Sequence, residues 1–329
     1  DPDTTLDRFE RMTRGVGARE VLYAQFVDEP RLLEILTDLA SGSPSLADIL
    51  VTEPHVFDDF IDALLTGFRG TARRRRDLAD MAAPENGDPW LILSDHQKLE
   101  LLRIGVSDLQ DRTTTRETLA QISQLCVDIL RCAYDLVFTS AVETMGQPET
   151  VRGLSQRLPA SMAVLAFGKL GGMEVNYASD ADLIFVYSAD GNTTEGVTNA
   201  QFFTKVAEEF IAQLTGSRGG PRLYRIDTRL RPEGTKGPLV TSLKAFTRYY
   251  ASSRAAVIES QALLKGRAVA GDATLGREVF SLIRDHLRRL ELPGDYLAQV
   301  RDIRDKIEAK ATGFDLKRGS GGMIDIEHI

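Results

Sequence analysis

The apolar residues change their spacing near Pro159, and that change restricts the chain to an α+β architecture. Before it, from Leu6 to Gly146, they recur at helical intervals, as in Leu119, Ile122, Leu125, Ile129, Ala133 and Leu136. After it come compact apolar runs, Met162 to Phe167 and Leu183 to Tyr187, and a third from Leu223 to Ile226 that closes on Asp227. Such runs predict strands. A helix over Asn199 to Leu214 separates the second from the third, introduced by Thr198 and Gln201 at the spacing of a capping box. Beyond Thr241 the spacing is helical again over Phe246 to Ala270, Leu275 to Leu290 and Tyr296 to Ala311, ahead of a Gly-rich close at Lys317 to Met323.

The first half divides further. Pro30, Gly42 to Pro44 and Pro54 cut Leu6 to Phe68 into short helices, with Ser43 and Thr52 placed to cap their successors. Arg73 to Arg76, then Met81 to Pro89 with its Pro, Asn and Gly, read as an exposed connection, the arginines as a solvated helix end and Trp90 as a core anchor. The organisation expected is a helical segment over 1–70, a helical bundle over 90–158, a strand-bearing domain over 159–270 and the start of another helical domain over 271–329. No internal repeat or low-complexity tract interrupts it.

Composition excludes several classes of function. Forty basic against 48 acidic residues leave a formal charge of −8, which argues against coating nucleic acid or an anionic membrane. Hydrophobic residues make up 43% and charged residues 27%, a balance that predicts a packed chain rather than a disordered one. No apolar run reaches the ~18 residues of a membrane span, and no leader-like pattern opens the chain. The abrupt start and the end at Ile329 read as those of a fragment. Cys126 and Cys132, six apart in one helix, point in different directions, so a reduced, cytoplasmic setting is expected.

The chemistry concentrates around Gly168-Lys169-Leu170-Gly171-Gly172 and Ser179-Asp180-Ala181-Asp182. Backbone N–H groups freed by Gly171 and Gly172, with Lys169 and Ser179 nearby, can wrap an anionic phosphate chain, although the spacing is not that of a Walker loop. Asp180 and Asp182, two apart at the entry of a strand, present their carboxylates to one side. Two adjacent like charges call for a cation, and hard oxygen ligands at this count suit magnesium, which binds one or two carboxylates plus substrate phosphates. Asp227 is a third carboxylate at the end of another run, and Arg229 and Arg231 share one face if that strand continues. Three carboxylates can hold two ions for nucleotidyl transfer. None of His55, His96, His286 or His328 falls in a zinc-ligand pattern.

These residues, together with Glu174, Asp227-x-Arg229-Leu230-Arg231-Pro232 and Gly237 to Ser242, resemble the glutamine synthetase adenylyltransferase family. The resemblance continues through Glu259, Gln261-Ala262-Leu263, Arg267 and Gly271-Asp272 to Asp315, Lys317, Gly321-Gly322 and Asp325-Ile326-Glu327, so it spans Met162 to Ile329. It implies a nucleotidyltransferase domain of the DNA polymerase β-like kind, with a mixed sheet flanked by helices. Full-length members carry two such domains, one adding AMP and one removing it. The segment Leu6 to Leu65 is similar to the helical linker before the adenylylating half, as are Thr241-Ser242 and Gln261 to Leu263. Asn176-Tyr177, Asn199 to Phe203 and Gly237 to Leu239 look closer to the removing half, and Ile258 and His328 depart from the family pattern.

The resemblance implies AMP transfer from ATP to a tyrosine of glutamine synthetase, with release of pyrophosphate, as part of nitrogen-assimilation control. Asp180, Asp182 and Asp227 would be catalytic and hold Mg2+. Gly171, Gly172 and Ser179 would cradle phosphate, while Lys169, Arg229 and Arg231 would offset the charge of pyrophosphate. Lys317, Asp325 and Glu327 are either supports of the nucleotide pocket or direct participants. The implied partners are glutamine synthetase and the PII signalling protein. The alternative within the family is phosphorolysis of tyrosyl-AMP to give ADP.

Overall fold

The computed structural model describes residues 1–16, 19–66, 78–152, 156–252, 257–291, 294–313 and 315–327; the arginine run 73–76 and His328 lie outside them. Five helices open the chain: α1 (Pro2–Arg14), α2 (Arg19–Asp28), α3 (Pro30–Gly42), α4 (Pro44–Thr52) and α5 (Pro54–Thr66). Pro30, Pro44 and Pro54 each stand at the first helical position, where the missing N–H costs nothing. Ser43 caps α4 as expected, its hydroxyl accepting from the Leu46 N–H. Thr52 does not cap α5: it is the last residue of α4 and its hydroxyl donates back to the Asp48 carbonyl. Leu36, Leu39, Leu50, Phe57 and Phe60 are almost wholly buried together with Leu102 and Val106 of α6 (Pro89–Leu109).

Helix α6 starts where Asp88 accepts from the Trp90 N–H, and α7 (Thr115–Met145) at a reciprocal Thr114–Glu117 capping box. Trp90 is half-buried against the central core. No helix among the described residues is long and apolar enough to cross a membrane.

Two sheets follow. The smaller has the order β2-β1-β5, from β1 (Pro148–Arg152), β2 (Gln156–Pro159) and β5 (Asn192–Thr193), where an extension of the helical bundle to residue 158 was expected. The larger runs β6-β4-β3-β8, with β7 also on β4: β3 (Met162–Phe167), β4 (Ala181–Tyr187), β6 (Ile226–Asp227), β7 (Val240–Ser242) and β8 (Arg267–Gly271). It is mixed: β3 is antiparallel to β4 and β8, while β6 and β7 run parallel to β4.

Both faces of this sheet are covered, and that is why its central strands read as unbroken apolar runs. Val164, Ala166, Leu183 and Phe185 meet α7 and α9 (Asn199–Leu214) through Ile129, Ala133, Phe202 and Phe210. Leu165, Phe167, Ile184 and Val186 meet α10 (Leu243–Ala251) and α12 (Ala273–Arg289) through Phe246, Val279 and Ile283. The capping box of Thr198 and Gln201 starts α9 where the spacing predicts.

Two expectations fail here. The helix foreseen over Phe246 to Ala270 is instead α10, a short α11 (Val257–Ala262) and the strand β8, whose residues complete a ladder with Ala163 to Ala166. The strand foreseen from Leu223 pairs only at Ile226 and Asp227; the Leu223 and Tyr224 N–H groups both donate to the Leu214 carbonyl, closing α9. Beyond α12 lie α13 (Tyr296–Glu308), which contributes no buried residue, and a turn leading into α14 (Met323–Glu327).

Candidate active site

The pairing of β4 with β6 sets the geometry of the carboxylates. Ala181 lies opposite Ile226, and Asp182 opposite Asp227. In-register residues on neighbouring strands project to the same face, so these two carboxylates stand side by side. They share the face of Ile184 and Val186 but lie at the strand's entry, where the apolar cover ends. Asp180 sits just outside β4, and its carboxylate meets Arg225 at 3.3 Å.

The electrostatics follow from this placement. Burial, then the charges of Asp227 and Asp180, push Asp182 up to about 6, and Arg229 and Lys317 partly oppose them. Asp227 moves the other way: the Arg229 guanidinium, its Nε at 3.0 and 2.8 Å from the two carboxylate oxygens, holds it below the usual range. Arg229 N–H also donates to Asp227. The site thus holds an excess of negative charge at Asp182 that its own arginines do not fully offset.

The Gly-rich stretch forms a five-residue helix, α8 (Gly168–Gly172), immediately after β3. Gly168 has φ +56°, and a Cβ there would stand 2.6 Å from Asp182 Oδ2. Only glycine both adopts that conformation readily and leaves the carboxylate accessible. Gly168 borders the Asp182 carboxylate, although only Lys169, Gly171 and Gly172 of this run are singled out from the sequence; its signal is its place directly after a fully apolar strand. Gly171 is required for another reason: a Cβ would meet the Lys265 carbonyl oxygen at 2.1 Å. Its own carbonyl accepts from Arg267 Nε at 2.9 Å, which ties α8 to β8. Gly172 faces the Glu174 carboxylate, itself paired with Lys265 at 3.0 Å.

The remaining predicted residues separate. Ser179 is committed to its own turn, its Oγ donating to Asn176 Oδ1 and accepting from the Asn176 N–H. The loop is tied to the helices behind it by Val175 N–H donating to Ser123 and by the Tyr177 hydroxyl donating to Asp108. Arg229 and Arg231 do not share a strand face, because β6 ends at Asp227. Arg229 folds back on Asp227, while Arg231 staples the following loop through the carbonyls of Thr228, Thr235 and Gly237 and the Thr228 hydroxyl. Lys169 lies half-buried on α8. Arg225 was not singled out in the sequence, yet it is the residue that balances Asp180.

Among the described residues no three His, Cys, Asp or Glu side chains converge as a complete metal site. The donor set nevertheless fits magnesium. Asp182 and Asp227 form a side-by-side pair with uncompensated negative charge, and this ion takes one or two carboxylates and completes its shell with phosphate and water.

A sequence profile for the family described as glutamate-ammonia ligase adenylyltransferase matches residues 33–281. Among curated proteins, the chain is 30% identical over 345 residues to the bifunctional glutamine synthetase adenylyltransferase/adenylyl-removing enzyme of Thioalkalivibrio sulfidiphilus, covering 100% of this chain and 35% of that protein. The proteins of the same description in Hahella chejuensis and Xanthomonas oryzae pv. oryzae are each 31% identical, over 99% and 100% of this chain and 35% of their own length. The chain therefore spans about a third of the relatives it matches. With more than half of its residues inside the family profile, the chain belongs to the glutamate-ammonia ligase adenylyltransferase family.

Proposed function

We propose that this chain is a nucleotidyltransferase with a DNA polymerase β-like catalytic domain over 159–270, which transfers AMP from ATP to a tyrosine hydroxyl of glutamine synthetase. The observation that carries this reading is the register of Asp182 with Asp227, with Gly168 leaving the Asp182 carboxylate open. The names of the relatives, which all pair addition of an adenylyl group with its removal, supply the substrate.

In this reaction the tyrosine oxygen attacks the α-phosphorus of ATP, the bond to the bridging oxygen of the β-phosphate breaks, and pyrophosphate leaves as the hydroxyl proton passes to solvent. Asp182 and Asp227, with Asp180, would hold magnesium, whose charge when bound gathers phosphate oxygens and favours the alkoxide-like nucleophile. Gly168 keeps the approach to Asp182 clear. The link from Arg267 to the Gly171 carbonyl fixes the short helix beside it. Arg229, forked onto Asp227 beside Asp182, would be the guanidinium nearest to incoming phosphate oxygens. The setting is cytoplasmic, and the PII protein is the proposed regulatory partner.

The test is a product assay. Incubation with ATP, magnesium and unmodified glutamine synthetase yields pyrophosphate under this reading. ADP formed from phosphate and adenylylated synthetase, without pyrophosphate in the first assay, assigns the removing reaction instead.

A further inference from the structure

The sheet does not hold the three aspartates alike. Asp182 lies within β4, between β3 and β6, and Asp227 is registered against it. Asp180 precedes the first residue of β4 and stands outside the ladder, which begins at Ala181. Its carboxylate meets Arg225 at 3.3 Å, but both side chains are more than half exposed, and an ion pair open to water does little to fix its members. The placement of Asp180 therefore depends on the loop that delivers the chain to β4.

That loop, residues 173–179, is held at two points and is stiff between them. Near its start the Val175 N–H donates to Ser123 Oγ at 3.0 Å; Ser123 is wholly buried, and its hydroxyl donates in turn to the Leu119 carbonyl at 2.7 Å within α7. Asn176 and Ser179 then close on each other. Ala178 N–H and Ser179 Oγ both donate to Asn176 Oδ1, at 3.1 and 2.7 Å, while Asn176 N–H donates to Ser179 Oγ at 3.1 Å. Residues 176–179 thus move as one unit, with Tyr177 inside it and Asp180 directly after it. The second hold acts on this unit: the Tyr177 hydroxyl donates to Asp108 Oδ2 at 3.2 Å.

The anchor is itself braced. Asp108 stands in the last turn of α6, and its other carboxylate oxygen accepts from the Thr118 hydroxyl of α7 at 3.0 Å, with Thr113 and Thr118 meeting at 2.9 Å. Gln110, which closes α6, donates to Asp38 of α3 at 3.0 Å. The corner between α6 and α7 is thus tied across three helices. We infer that Tyr177 is a positioning residue: through its bond to Asp108 it sets where the Asp180 carboxylate stands, and so how well the three aspartates together take a divalent cation. This rests on the metal-dependent reading above and gives the helical half of the chain a part in it.

The experiment is titration of the 329-residue chain with manganese, whose free aqueous ion is counted by electron paramagnetic resonance, with melting temperatures recorded in parallel. Tyr177→Phe weakens manganese binding by about three- to tenfold, the scale of one hydrogen bond, and leaves the melting temperature within about 2 °C. Asp108→Ala produces a loss of similar size, and the double variant binds no more weakly than either single one. In an Asp180→Asn background Tyr177→Phe adds no further loss. Unchanged manganese affinity in Tyr177→Phe overturns the inference. So does an equal further loss in the Asp180→Asn background, because Tyr177 then acts on something other than Asp180, and so does a loss with a clearly lowered melting temperature, which marks a structural role. If the unsubstituted chain binds no manganese, or binds it undiminished by Asp182→Asn, the metal reading fails and the assignment of Tyr177 fails with it; binding that Asp182→Asn abolishes separates the two cases.

Discussion

Asp182 and Lys317 stand on supports of opposite kinds. Asp182 stands on β4, between strands on both sides and beneath helices on both faces, next to residues with almost no exposed surface. Lys317 stands on a turn between α13 and α14, where Leu316 is 68% exposed, Leu297 of α13 and Ile326 of α14 are 77 and 71% exposed, and one guanidinium, that of Arg304, provides the lock. Carboxylates that repel each other must be held by something stiffer than their repulsion, and a packed sheet does that. Rigidity in this molecule is concentrated where like charges are forced together.

Substitutions on the two supports sharpen the contrast. Phe210→Ala, which removes a wholly buried ring packed edge-on against Phe185 behind β4, lowers unfolding free energy by about 3–5 kcal/mol in a denaturant titration. A loss below about 1 kcal/mol would mean that the sheet is not the stiff element.

Asp182→Asn acts in the opposite direction. Because its folded value is raised, the folded chain loses stability as this carboxylate ionises between about pH 4 and 6, and that loss is complete above the upper value. The metal-free Asn variant is therefore more stable than the parent by about 2 kcal/mol at pH 7.5, with the gain shrinking to nothing below about pH 4. Denaturation across that range checks it, and a variant less stable at pH 7.5 contradicts the charge excess.

Gly168→Ala forces a side chain into the left-handed region and against Asp182 Oδ2, costing about 1–2 kcal/mol in stability and more in magnesium-dependent nucleotide binding. Leu316→Ser, on the exposed turn, changes stability by less than about 0.5 kcal/mol. A cooperative loss there would show that the turn belongs to the core after all.

Legibility in the sequence followed the same division. β3 and β4 were readable because both faces are buried and their apolar runs are continuous; α9 was readable because its capping box and periodicity agree. The strand β8 was not, since Arg-Ala-Val-Ala-Gly is short, rich in small residues and strand-like only beside β3. The β1–β2 hairpin was missed because Pro148–Arg152 and Gln156–Pro159 carry mostly polar residues with no apolar alternation. In the site, the three aspartates and the glycine run could be picked out by type and spacing. The facing of Asp182 with Asp227 depends on strand register, and the diversion of Arg229 and Arg231 on where β6 stops, neither of which a spacing rule encodes.

Mass spectrometry of glutamine synthetase after incubation with this chain, ATP and magnesium decides whether the Asp182–Asp227 pair serves adenylyl transfer. The expected result is a gain of one AMP on a tyrosine of the synthetase, reduced by about a thousandfold in rate with Asp182→Asn, the scale for loss of an electrostatic group at a transition state. Transfer that proceeds equally well without the Asp182 carboxylate would contradict it.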